Sequence, residues 1–411
     1  MQQATNIEGL PLQGITVLEL GQVIAGPFCT RLLADMGAEV IKIEPPGKGD
    51  PIRSWGKSNN GSTAWWSVHA RNKKSLTLNL KHEKSRALVL KLASHADIIV
   101  ENNKPGQLEK WGVGPADLEK VNPRGILVRI SGYGQEGPKK DRPAFGVIGE
   151  SMGGLRYLTN HAAGVADQLP PVRVGISIGD SLAAMYGALG ALAALRKRDT
   201  LQETGFQVLD VALSESVLSV MEGCLPEYGL FGAVRQPTGS TLPSCAPTNA
   251  YPTADGRFIL IAANSDPLFA NLSKAMGRPE LAQDPKYQSN PERVRRMGEL
   301  DGIIAEWTKQ YTLDELEDIL DKAPVPASRI FTMEDIARDQ QYHYRKMVDE
   351  VADPIHGKVL HYGVMPMFQG IDRSSMIRWT GPRLGQHTEE VLTDLGLTGE
   401  EIKELQTEGV I

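Results

Sequence analysis

Apolar positions in the first 150 residues alternate between two periods. Ile15–Leu20 (ITVLEL) is a short β-branched run of the kind that forms a buried strand. Pro27 then opens a helical stretch, FCTRLLADMGA, closed at Gly37, with proline in the first turn and glycine at the end. Glu39–Ile43 (EVIKI) is a second strand, completing one β-α-β unit. The alternation continues with a strand at Ser75–Leu80, a helix at Glu83–Ser94, a strand at Asp97–Glu101, a short helix at Gly106–Trp111 and a strand at Ile126–Ile130. This order predicts a parallel sheet covered on both faces by helices, with ligands beyond the carboxyl ends of the strands. Those ends are Gly21–Gly26, Glu44–Gly47, Glu101–Gly106 and Ser131–Gly137.

Further on, Met152–Leu169 is irregular, and Val172–Ile178 leads into a helix at Asp180–Arg196. Ala183, Ala184, Gly187, Ala188, Gly190, Ala191 and Ala194 leave that helix little bulk, so another element should lie close against it. A strand at Gly205–Ala212 and a helix at Leu213–Cys224 follow. Gly229–Tyr251 is rich in Gly, Pro, Ser and Thr and reads as a connector. A strand at Gly256–Ala263 and helices at Leu268–Met276, Arg293–Thr308 and Leu313–Ala323 then form a separate small α+β domain. Mixed loops and strands return from Ile330, and Glu389–Gly409 closes with helical turns. The boundaries expected are 1–225 for the first part of a large domain, 226–330 for the small domain with its linkers, and 331–411 for a return segment.

Composition narrows the class. The 411 residues are 41% hydrophobic and 23% charged, which supports a packed core and excludes global disorder. A net charge of −6 argues against a nucleic-acid binder. The longest apolar run, Leu182–Leu195, is too short to span a bilayer, and Met1–Gly9 lacks the parts of a signal peptide. Cys29, Cys224 and Cys245 form neither a disulfide framework nor a metal set, so the expectation is a cytoplasmic protein without a metal.

Candidate chemistry lies at the strand ends. Gly132-Tyr-Gly134-Gln-Glu-Gly137 fits the dinucleotide fingerprint by spacing, but Pro138-Lys139-Lys140-Asp141-Arg142-Pro143 is a poor start for the helix such a site needs. It reads better as a glycine turn whose amides and cations (Lys139, Lys140, Arg142) hold phosphates, or as a solvated surface turn. Lys42, Lys48, Arg53, Arg71, Lys73, Lys74, Lys104 and Lys110 also fall near these ends and suggest an anionic ligand, although each is also a routine surface residue. Asp180, after Gly179, reads either as an ordinary helix N-cap or as an oriented, ionised carboxylate able to attack an activated carbonyl. No Ser-His-Asp arrangement or metal-ligand spacing is visible, and Cys29 reads as core.

These blocks, in this order, resemble the class III CoA-transferase family, which includes formyl-CoA, oxalate, carnitine and glutarate CoA-transferases and the related α-methylacyl-CoA racemases. The resemblance runs from LPLQGITVLELGQVIAGPFCTRLLADMGAEVIKIEPPGKGDPIRSWG through NKKSLTLNLK, ADIIVENNKPGQLEKWGVG, ISGYGQEGPKKDRPAFG and PPVRVGISIGDSLAAMYGALGALAAL to LGQHTEEVLTDLGL. It implies a large Rossmann-like domain built from both chain ends, a small inserted domain, and two chains interlocked as a homodimer. It also implies that Asp180, closing a V-G-x-x-x-x-D segment, is the nucleophile. The implied CoA contacts are Val23, Ile24, Ala25, Leu78, Asn79, Leu80, Lys81, Asn102, Asn103, Lys104, Lys110, Gly137, Pro138, Lys139 and Lys140. The family's glycine-rich active-site loop corresponds loosely to Thr238–Ser240, which makes Gly239 and Ser240 substrate candidates.

Departures sharpen the expectation. Formyl-CoA transferases carry Gln where Ile24 stands and Arg where Pro45 stands, and many members carry an acid at the position of Gly146. The racemases use a His where this chain has Phe145, which cannot transfer protons. The expected activity is therefore transfer of CoA from an acyl-CoA to a free carboxylic acid, such as succinate, glutarate, oxalate or itaconate. Arg53 and Arg173 are candidates for a second substrate carboxylate, with internal salt bridges as the alternative. A racemase-type isomerase and a noncatalytic CoA-binding protein are the competing classes.

Overall fold

A computed structural model of the chain describes residues 9–59, 62–162, 165, 169–201 and 205–411. Residues 1–8, on which most of the signal-peptide reading rests, and part of the irregular Met152–Leu169 stretch lie outside the described residues. The chain divides into two compact units. One is built from the residues up to Arg156, Val174–Gly232 and Asp339–Ile411, the other from Tyr157–Arg173 and Ala233–Arg338.

In the larger unit the elements run β1 (Thr16–Glu19), α1 (Ala25–Asp35), β2 (Glu39–Glu44), a small hairpin of β3 (Ser58–Asn59) and β4 (Ser62–Thr63), α2 (Ala64–His69), β5 (Lys73–Thr77), α3 (Glu83–Ala93), β6 (Ile98–Glu101), α4 (Gln107–Lys110), α5 (Pro115–Val121) and β7 (Ile126–Ser131). α6 (Gly146–Met152), α7 (Leu155–Leu158), α8 (Ile178–Thr200), β8 (Gln207–Ala212), α9 (Leu213–Leu218) and α10 (Cys224–Phe231) follow. The central sheet has the order β5-β2-β1-β6-β7-β8, and every pair in it is parallel. The order reverses between β1 and β6, so the crevice beyond their carboxyl ends is the switch point where ligands of such sheets bind.

Each strand alternates its faces. Val17 points into a core shared with α1 and α8, while Leu18 points into the opposite core with α3 and the chain's C-terminus. α8 has 23 residues, longer at both ends than the expected Asp180–Arg196. By length and composition alone it could cross a membrane, with mean hydropathy 1.4 over its most apolar window. Its Ala/Gly face instead packs on α1 and the sheet. A Cβ at Gly187 would lie 3.1 Å from Cys29 Sγ and 3.3 Å from Val128, which explains the small residues. The expected helix Leu213–Cys224 ends at Leu218; Glu222 takes a left-handed φ of 50°, and α10 begins only at Cys224, with Pro226 in its first turn.

The second unit contains the antiparallel sheet of β9 (Thr248–Pro252), β10 (Phe258–Ala262) and β11 (Ala327–Arg329), with α11 (Asp266–Ala275), α12 (Asn290–Arg295), α13 (Met297–Thr308), α14 (Leu313–Lys322) and α15 (Met333–Arg338). The expected helix Arg293–Thr308 breaks at Arg296, whose backbone leaves the helical region. The chain returns to the first unit through α16 (Gln340–Tyr344), the hairpin of β12 (Val348–Asp353) and β13 (Gly357–Tyr362), α17 (Thr388–Asp394) and α18 (Gly399–Thr407).

Candidate active site

The switch-point loops are bound together by buried charge. Glu19, at the end of β1, accepts from Lys42 Nζ and Lys73 Nζ, both at 2.8 Å, and from Thr30 Oγ1 at 2.6 Å. Lys42 also meets Asp50 at 2.8 Å and the Gly21 carbonyl at 2.9 Å. Burial alone would raise the Glu19 carboxyl, but the two ammonium groups hold it below its usual range. Burial pushes Lys73 down to about 8 despite Glu19 beside it. Asn102, after β6, clasps the backbone of Gln22: its Oδ1 accepts from the Gln22 N–H at 2.7 Å and its Nδ2 donates to the Gln22 carbonyl at 2.9 Å. A Cβ on Gly21 or Gly26 would come within 2.8 or 3.0 Å of that Oδ1, so both positions must stay bare.

Asp180 is the third residue of α8, not the expected N-cap. Ser177 flanks the helix without a side-chain cap, and the carboxylate sits half-buried in the first turn, where the helix dipole favours negative charge. Gly179 lets the first turn of α8 approach α6: a Cβ there would lie 2.6 Å from the Gly146 carbonyl oxygen. Gly146 is equally constrained. A Cβ on it would lie 2.1 Å from Asp180 Oδ2 and 2.7 Å from Cγ. Phe145, next to it, is 72% exposed.

The other expected site residues separate into inward and outward groups. Arg53 donates to both oxygens of buried Glu44 at 2.7 Å and lies 3.5 Å over the Trp66 ring, so a protein carboxylate already holds it. Arg71 pairs with Asp35, and Lys74 with Glu39 and Glu390. With Lys42 and Lys73, these cations are internal counter-ions rather than an anion site. Leu78 is core, Leu80 packs against the same core, and the Asn79 N–H donates to the Val410 carbonyl. Asn103 is turned toward Glu101 and the Leu20 carbonyl. Lys48, Lys81, Lys104, Lys110, Gly137, Pro138, Lys139 and Lys140 are exposed, and Val23, Ile24 and Ala25 form the turn into α1. In the second unit Arg173 is exposed. There Gly239 has φ 68°, and the Ser240 hydroxyl donates to Asn249 Oδ1.

Two features escaped the sequence pattern. Glu19 and Lys42 each place one charge inside an apolar strand, which was the available signal for the buried lattice. Ser67, Asp353 and His361 do meet, with 2.9 Å from the Ser67 hydroxyl to each partner, although the sequence shows no such arrangement. The set is buried, and Asp353 binds Ser67 rather than orienting His361, so it lacks the relay of a nucleophilic triad. Burial raises the Cys29 thiol to about 12, which leaves it inert. Among the described residues no His, Cys, Asp or Glu group could hold a metal ion.

The glycine turn after β7 does not run into a helix, since α6 begins only at Gly146, and this removes the dinucleotide reading. The parallel sheet, with its order reversing between β1 and β6, defines an α/β protein of the ligand-binding kind. Residues 12–388 match CoA-transferase family III, and the chain belongs to that family. It is an acyl-CoA:carboxylate CoA-transferase, with CoA as its substrate. It is 48% identical to a succinyl-CoA–D-citramalate CoA-transferase of Chloroflexus aurantiacus, over 98% of each chain. It is 33% identical to a succinyl-CoA:glutarate CoA-transferase of Mus musculus, over 94% of this chain and 86% of that one. A CAIB/BAIF family protein from Brucella suis has a similar structure, with TM-score 0.81 and 31% identity over 94% of this chain and 99% of that one.

Proposed function

We propose that the enzyme moves CoA from succinyl-CoA to a second small dicarboxylate through covalent intermediates on Asp180. The likeness to transferases named for succinyl-CoA and for citramalate, malate or glutarate supports the substrate class. The observation carrying the mechanism is the Asp180 carboxylate against bare Gly146 at the head of α8.

One Asp180 oxygen attacks the thioester carbon, and the C–S bond breaks to give an acyl–aspartyl anhydride and CoA thiolate. The thiolate attacks the aspartyl carbonyl, and the C–O bond breaks to release the donor carboxylate and leave an aspartyl–CoA thioester. The acceptor carboxylate attacks that thioester and frees the thiolate. The thiolate then takes the acceptor acyl group and restores Asp180. Backbone N–H groups stabilise each oxyanion. An activated carbonyl, as thioester or anhydride, is present at every stage, so no ATP is consumed, and water must be kept from each intermediate.

CoA lies along Val23, Ile24 and Ala25, with its phosphates toward Lys104, Lys110 and the Gly137–Lys140 turn. Asn102 serves this loop through its backbone clasp. Gly239, Ser240 and Arg173, all in the second unit, remain substrate candidates. Phe145, which has no proton to exchange, weighs against racemisation. Two chains form the homodimer, an arrangement supported by exposed Met185, Leu189, Leu225, Leu230 and Phe231 on α8 and α10.

The test is trapping. Succinyl-CoA with hydroxylamine converts Asp180 to its hydroxamate, a mass shift on one peptide. Asp180→Ala is expected to abolish transfer while CoA still binds, and retained turnover would remove the nucleophile.

A further inference from the structure

Val23 has φ 67°, a left-handed backbone that a β-branched residue rarely adopts. Such a conformation persists only where the surroundings over-determine it. Here the polar part of those surroundings is one carboxylate, set beside an apolar cluster of Ile24, Ile52, Trp66 and Ala70. The Val23 N–H donates to both oxygens of Asp50, at 3.1 and 3.2 Å. Asp50 also accepts from the Ile52 N–H at 2.9 Å, and its own N–H donates to Glu44 Oε2 at 2.9 Å. Lys42 Nζ stands 2.8 Å away, and both side chains are buried. Asp50 thus ties the loop after β2 to the loop after β1.

We infer that Asp50 is a positioning residue: it holds Val23 left-handed and so shapes the Val23–Ala25 turn for acyl-CoA. This rests on the CoA reading above. The carboxylate supplies two acceptors to one amide, which an uncharged or shorter side chain does not. Its charge is supported from behind by Lys42, which Glu19 holds in turn. Asn102 fixes the preceding residue, Gln22, so a change at Asp50 is expected to release the turn at Val23 and leave its entry in place.

The experiment measures KM for succinyl-CoA and kcat in Asp50→Asn, with and without Val23→Gly. Releasing a residue strained to this degree is expected to raise KM about tenfold, with kcat within about threefold. Glycine adopts positive φ without a Cβ clash, so Val23→Gly added to Asp50→Asn is expected to bring KM back to within about threefold of Val23→Gly alone. A purely structural Asp50 would lower Tm without moving KM, and glycine, by loosening the unfolded chain, would lower Tm further. A normal KM in folded Asp50→Asn, or a raised KM that Val23→Gly does not restore, overturns the inference. If Asp50→Asn does not fold, Asp50→Glu keeps a charge for Lys42 but displaces the acceptors, and is read the same way. Failure of all three Asp50 variants to fold assigns Asp50 to stability alone. Asp180→Ala run alongside keeps the two ideas apart. Lost turnover there with an unmoved KM in Asp50→Asn sinks only the positioning role. Retained turnover there sinks the nucleophile and leaves the KM comparison readable.

Discussion

Gly146→Ala tests how closely the Asp180 carboxylate is placed. Gly146 is the first residue of α6 and has a helical backbone, where alanine is the better helix former by about 1 kcal/mol. The substitution therefore brings no backbone penalty. Its effect is steric: the new methyl would sit 2.1 Å from Asp180 Oδ2 and 2.7 Å from Cγ. Real Cβ atoms essentially never come closer than 3.0 Å to a neighbour, so the carboxylate must retreat by about 1 Å. The two nearest atoms belong to the Asp180 side chain, whose rotation relieves them, while the Asp180 backbone nitrogen at 3.1 Å asks for a shift of a few tenths of an ångström, so the fold should survive. A displacement of about 1 Å at a reacting group costs on the order of 10²-fold in rate, or about 2.7 kcal/mol of barrier. The expected result is kcat down about a hundredfold with Tm within a few degrees and KM for succinyl-CoA little changed. Initial rates with succinyl-CoA and a dicarboxylate acceptor, together with hydroxylamine trapping, measure it. Wild-type kcat in Gly146→Ala beside an inactive Asp180→Ala would refute the steric argument and leave the nucleophile standing.

Arg53→Leu is expected to lower stability by about 3 kcal/mol, because it strands buried Glu44, and to leave KM for the acceptor unchanged. A selective rise in acceptor KM at constant Tm would return Arg53 to the substrate. Lys139→Ala with Lys140→Ala should raise KM for acyl-CoA at low salt, and the difference should shrink at high salt as screening replaces it. Stability should also fall with acidity. Burial, with Arg71 nearby, pushes His361 down from 6.5 to about 4, so between those values the unfolded chain binds a proton that the folded chain refuses. Its share of stability is full above pH 6.5 and drains as pH falls, by up to about 1.4 kcal/mol per unit until about pH 4. Urea unfolding at pH 7 and pH 5 reads this, and a His361→Gln variant whose pH slope equals that of the parent would exclude His361 as the source.

The parallel sheet was legible because each strand is a local β-branched run between turn residues, and α1 because its proline and glycine mark both ends. The helix breaks were not. Arg296 carries no breaker signal, and Pro226 lies beyond the end of the apolar pattern that suggested Leu213–Cys224. The cations show the sharper limit. Lys42, Arg53, Arg71 and Lys73 stand at strand ends in the sequence just as ligand-binding lysines would. Lys73 and Arg71 are turned inward by partners far along the chain, Glu19 at 54 positions and Asp35 at 36, which a pattern read over a dozen residues does not register. Arg53 meets Glu44 only 9 positions away, but the sequence does not say which nearby carboxylate folds back onto it. The contact between Gly146 and Asp180 is hidden for the same reason, since Gly146 alone suggests only a turn and Asp180 alone a helix cap.

Separating the inward charges from the outward ones changes what the site can do. Once Lys42, Lys73, Arg53 and Arg71 are paired within the fold, the proposed phosphate contacts fall to exposed cations, among them Lys48, Lys104, Lys110, Lys139, Lys140 and Arg142. Exposed ammonium groups hold phosphate loosely and exchange it quickly, which suits a substrate that must leave as a different thioester at the end of each cycle. The reacting end has the opposite requirement. In the proposed mechanism the carbonyl of Asp180 is attacked from the sulfur side, then from the acid side, then regenerated, and a carboxylate that drifted between those events would expose the proposed anhydride to water. A 23-residue helix anchored by its Ala/Gly face, with its first turn pressed onto Gly146, keeps that one atom in place while everything bound to it changes.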